Sequence, residues 1–148
     1  MLSLHNMFGN MFFKKIIKNV PTCLTTVALS ALIAYLSLDS NPFDVNRVKL
    51  FEGADKLVHC IMYFCLSVVC IFDCAKVFYP NRLKTLLVVL CACIAFMFSM
   101  LMELLQGVME IGRAASLGDM VANLIGTLGG LFFMKYYFLK RFNDIMRS

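Results

Sequence analysis

At 148 residues the chain has the length of one ordinary domain, yet 61% of it is hydrophobic and only 16% is charged, an apolar share above that of water-soluble domains. A soluble fold of this size cannot bury so much apolar surface, which excludes the water-soluble enzymes and binding modules. The net charge of +5 does not imply a nucleic-acid partner, because the basic residues flank apolar runs and form no groove-sized patch.

Four runs approach or reach the roughly 18 to 20 apolar residues that cross a hydrocarbon core about 30 Å thick. They are Val20 to Leu38, Leu57 to about Phe78, Thr85 to about Gly107, and Leu117 to Leu139. The expected fold is all-α, an integral membrane bundle of four transmembrane helices spanning 20–139. A basic amphipathic segment, 1–19, precedes it and a basic tail, 140–148, follows. The first run is too long for a secretory signal core and has no small-x-small cleavage site before Asp39, so it reads as a retained helix.

Sidedness follows from the basic residues. Lys14, Lys15 and Lys18 before the first span, Lys76, Arg82 and Lys84 between the second and third, and Lys135, Lys140, Arg141 and Arg147 at the end share one side. They outnumber Arg47, Lys49, Lys56 and Arg113 on the other, so the positive-inside rule places both termini in the cytoplasm. The seven cysteines lie almost wholly within the spans without CxxC spacing. They read as small apolar packing residues, not as a zinc site or disulfide framework, and no cofactor is expected.

In chain order, Met7, Phe8, Met11, Phe12 and Ile16 among three lysines suit either an amphipathic helix on an anionic membrane surface or an ordinary basic flank. Pro21 suits the first turn of span one. Thr22, Thr25, Thr26 and Ser30 can bond to their own helix or to a neighbour. Loop one, Asp39 to Ala54, turns at Asn41-Pro42 and can fold back over the adjoining surface.

Span two opens with Asp55 and continues through His59 to Tyr63. These three stack along one helical face about 6 Å apart. Span three ends with Glu103 and Gln106, followed by Glu110, again at helical spacing. A carboxylate at membrane depth faces the bundle interior or water, not lipid. In loop three Ser116 resembles a helix cap and Asp119 complements the helix dipole. Asn123 lies one turn deeper, where it needs polar partners. Gly126 and Gly130 form a GxxxG surface for close helix packing. At the other end, Asp73 with Lys76, and Lys135 among aromatics, read as interfacial anchors with snorkelling side chains.

Span two starts, span three ends and span four starts at the same face, so the three polar stripes predict one shared pocket under that interface. Its candidate residues are Asp55, His59, Tyr63, Glu103, Gln106, Arg113, Asp119 and Asn123. The ordered motifs DKxxHxxxY, ExxQ and RxxSxxDxxxNxxGxxxG resemble the VanZ-like family of small bacterial membrane proteins, over about half the chain. The resemblance implies a compact multi-span bundle in the bacterial cell membrane; the family's namesake gives low-level teicoplanin resistance.

Two functions use this pocket. In the first, Arg113 and protonated His59 attract the phosphate or carboxylate of a lipid head group, a cell-wall precursor or a lipoglycopeptide, with Asn123 and Gln106 adding hydrogen bonds. In the second, a membrane enzyme acts on a lipid-linked phosphate or ester. There His59 is a general base, Glu103 or Asp119 an acid or metal ligand, and Arg113 the charge stabiliser. A channel role fits less well, because the polar residues stop short of the opposite face, although a homo-oligomer can form a path.

Overall fold

The computed structural model describes residues 21, 23–38, 53–78, 85–109 and 116–139. They form four helices: α1 (Leu24–Leu38), α2 (Ala54–Phe78), α3 (Thr85–Met109) and α4 (Leu117–Phe133), with α4 running on as a π-helical turn, Met134–Phe138. Three of them, α2, α3 and α4 with its extension, are long and apolar enough to cross a membrane. The N-terminal segment, loop one, Glu110, Arg113 and the C-terminal tail lie outside the described residues.

Exposure runs opposite to that of a water-soluble bundle. Ile61, Ile94, Met97, Leu104, Ile125 and Phe132 face outward, while Ser67, Asp73, Ser99, Glu103, Gln106, Asn123 and Thr127 are buried. Apolar solvent outside and polar pairing inside is the arrangement a bilayer demands.

The first helix departs from expectation. Its described length is 15 residues, about 22 Å of rise, which falls short of a hydrocarbon core. It starts beyond Pro21 and not around it, because Cys23 adopts a left-handed backbone with φ of 68° and only then does Val27 N–H reach the Cys23 carbonyl at 3.0 Å.

The start of α1 is held from outside. Asp73, on α2, is 2% exposed and is therefore not the snorkelling anchor its position next to Lys76 suggested. Its carboxylate accepts from Thr25 Oγ1 at 2.8 and 2.7 Å, from Thr26 Oγ1 at 2.7 Å and from the Thr26 backbone N–H at 3.1 Å. A helix normally takes such a cap from the residue just before it; here it comes from another helix and also meets the positive end of the α1 dipole. Asp73→Ala is expected to cost about 1–2 kcal/mol in a detergent unfolding titration, with Asp73→Asn losing less.

The tightest helix pair is α2 with α4. A methyl group built at Gly126 would overlap the carbonyl of Cys60, and one at Gly130 would lie 2.7 Å from the Phe64 carbonyl oxygen. Both positions of the GxxxG motif therefore let two backbones touch. Two apolar clusters complete the packing, one of Ile33, Tyr63, Leu66 and Ala95 and one of Ile71, Val88, Cys91 and Met134. Cys91 belongs to the second cluster with Cys70 and Cys74 packed against it, whereas Cys23, Cys65 and Cys93 are exposed.

Candidate functional site

The α2–α4 contact fixes what lies above it. Gly53, with φ of 92°, ends the preceding backbone path, and α2 starts at Ala54 with Asp55 in its first turn. The start of α4 is set by Ser116, whose hydroxyl accepts from the Gly118 N–H at 3.2 Å, the expected cap. With α2 and α4 pinned at Gly126, the turns between that contact and the helix starts bring His59 opposite Asn123.

The centre of the site is a chain of three buried side chains from three helices. Asn123 Nδ2 donates to Glu103 Oε1 at 3.3 Å. His59 Nδ1 lies 3.2 Å from Asn123 Oδ1 and 3.6 Å from Glu103 Oε1. Glu103 is 1% exposed and Asn123 is fully buried. A carboxylate only accepts, so Asn123 must turn its amide nitrogen to Glu103 and its oxygen to His59. That oxygen then selects the tautomer with the proton on Nδ1 and leaves Nε2 as an acceptor. Thr127 Oγ1 donates to the Asn123 carbonyl at 2.8 Å, tying the Asn123 backbone to the next turn.

The free face of the imidazole points toward the helix starts. His59 Nε2 lies 4.0 Å from Asp55 Oδ1, and one ligand atom each from Asp55, His59 and Asp119 fall within 4.8 Å of one another. The Asp55 side chain is 50% exposed, so this group forms the mouth of the site. The stem of Lys56 crosses Gly118 beside it, and among the described residues Lys56 is the one Lys or Arg at this end. Below, Tyr63 is fully buried, with its ring centroid 6.5 Å from that of His59, and closes the floor.

Seven of the eight candidate pocket residues lie within the described chain, and five of them gather around a sixth, His59. Gln106 is turned elsewhere: its Nε2 donates to the Ser37 carbonyl at 2.7 Å, meeting an unpaired acceptor at the end of α1. Arg113 lies outside the described residues. Sequence reasoning read Asp73 as an interfacial anchor and gave Lys56 no part in the pocket, although a carboxylate inside an apolar run was a signal that the first is buried.

Comparison of the chain with known protein families, with curated proteins and with solved structures gave no match.

The site is an acidic, hydrogen-bonded cluster at one end of three apolar helices. Its groups can bind a cation, orient a polar head group or move a proton. No nucleophile is placed against the imidazole among the described residues.

Proposed function

We propose that the chain is a VanZ-like membrane protein of the bacterial cell envelope whose polar cleft, on the extracytoplasmic side, holds the head group of an anionic amphiphile. The supporting observation is the buried Glu103–Asn123–His59 chain opening onto Asp55, Asp119 and Lys56. Such a chain is costly at membrane depth unless it orders a mouth for something polar. The surrounding helix faces are apolar, so a ligand with an acyl or isoprenoid tail can lie along them while its head group enters the cleft.

Phospholipids, lipid-linked cell-wall precursors and lipoglycopeptides share this build, an acidic head on a long apolar tail. Lys56, together with Arg113 of loop three, supplies positive charge. Both termini lie in the cytoplasm by the distribution of basic residues. The motif order that resembles the VanZ-like family supports the same class of ligand and extends it to teicoplanin.

The test is recovery of the protein in native-lipid nanodiscs, with co-purifying lipids identified by mass spectrometry. Wild type is expected to enrich one anionic lipid class several-fold over the bulk membrane, and His59→Ala/Arg113→Ala to lose that enrichment. Matching profiles from the two would overturn the reading.

A second reading, an enzyme acting on a lipid-linked phosphate or ester, is favoured by one feature. His59 Nε2 is held free and directed at the mouth, as a general base requires. It predicts a lipid species that accumulates when the gene is deleted and returns with the wild-type copy but not with His59→Ala.

A further inference from the structure

We propose that Asp55, His59 and Asp119 hold one divalent metal cation at the mouth of the cleft, with Zn2+ the best-matched ion.

The donor set is the first ground. An imidazole nitrogen and two carboxylate oxygens are a usual three-ligand set for zinc, which bonds them at about 2.0–2.2 Å. Tetrahedral ligands at that radius stand about 3.4 Å apart. The three atoms lie within 4.8 Å of one another, and the Nε2 to Asp55 Oδ1 distance is 4.0 Å. Closing them around one ion takes an approach of at most about 1.4 Å, shared between two side chains.

The orientation of His59 is the second ground. A ligating histidine characteristically donates its other N–H to a fixed acceptor, which sets the tautomer and the ring plane. Asn123 Oδ1 does this at 3.2 Å, and Asn123 is itself held by Glu103. The result is a lone pair on Nε2 aimed at two carboxylates. That arrangement is repulsive until a cation sits between them, and a metal binds all three groups in the states the hydrogen bonds impose.

Charge is the third ground. Three carboxyl groups, Asp55, Glu103 and Asp119, crowd around His59. A cation near the carboxylates relieves this. Lys56 brings one positive charge against Asp55, Glu103 and Asp119, and its stem is committed to crossing Gly118.

The half-exposed Asp55 leaves one coordination position toward the mouth. An anionic phosphoryl or carboxyl oxygen is the natural fourth ligand, which explains how an acidic cleft accepts an acidic head group. This last step rests on the head-group reading; the metal site does not.

The experiment is a Co2+ titration of chelator-stripped full-length protein in lipid-free detergent, followed by its visible absorption. Wild type is expected to bind one equivalent with nitrogen–oxygen ligand bands and without the intense near-ultraviolet band that cysteine thiolates give. Asp119→Asn, a conservative change at the mouth, is expected to weaken binding at least about a hundredfold. Asn123→Ala, which frees the ring without removing a ligand, is expected to weaken it about 10–100-fold. Failure of the wild-type protein to bind Co2+ overturns the proposal without reference to any variant, as does binding that Asp119→Asn leaves unchanged or that shows the sulfur band. Lipid analysis of the same stripped protein separates the two readings. Retained head-group enrichment without Co2+ binding leaves the cleft and removes the metal, while Co2+ binding without enrichment does the reverse.

Discussion

Asn123→Ala is expected to lower the free energy of unfolding by about 2 kcal/mol in a detergent titration of the purified protein. The substitution removes the amide that joins α2, α3 and α4. Glu103 Oε1 loses its N–H donor and His59 Nδ1 its acceptor, both on buried side chains. Leaving one buried partner unsatisfied costs about 1–3 kcal/mol. Typical single hydrogen bonds between transmembrane helices are worth less, near 0.6 kcal/mol, because most of the groups left behind find another partner. Glu103 is only 1% exposed, which places this pair above the typical case. A double-mutant cycle of Asn123→Ala with Glu103→Gln isolates the pair, and a coupling of 0.5 kcal/mol or more is expected at this contact distance. Additive effects would mean that the two side chains do not depend on each other.

Gly126→Val is expected to be at least as severe, about 3 kcal/mol. What the new side chain meets is the Cys60 carbonyl of α2, a backbone group that cannot rotate away, so the two helices must separate. Overpacking elsewhere typically costs 1–3 kcal/mol, and this contact belongs at the upper end. Separation also withdraws Asn123 from His59, so the variant should lose the site along with the packing. Gly129 provides the contrast on the same helix. A methyl there would meet only the edge of the Phe64 ring at 3.3 Å, and a ring can tilt. Gly129→Ala is therefore expected to shift unfolding by less than about 1 kcal/mol, and equal losses at the two glycines would refute the close backbone contact.

The helices and the polar stripes were legible in the sequence because both depend on local periodicity. The spacing of Asp55, His59 and Tyr63 puts them on one face wherever the helix sits, and Asn123 lies one turn below Asp119 for the same reason. Helix rotation is not local, and there the sequence is silent. Gln106 shares a stripe with Glu103, yet it serves the end of α1, because its ring of neighbours is set by how α1 leans on α3. Asp73 read as an interfacial residue from its neighbours along the chain, whereas its partners stand 47 and 48 positions away. The start of α1 was misplaced because the left-handed Cys23 has no signature comparable to glycine at such a position.

The cap that Asp73 places on α1 bears on how the protein is made. The first helix leaves the ribosome with its leading amide and two threonine hydroxyls unpaired, and their acceptor is synthesised 47 residues later. Neither half is at ease in lipid alone: α1 is short with open donors, and α2 carries a carboxylate within its apolar length. Joined, each neutralises the other's defect. The two segments are thus suited to leave the insertion channel as a paired hairpin, with the hydrogen bonds at Thr25, Thr26 and Asp73 formed before either helix meets hydrocarbon on all sides.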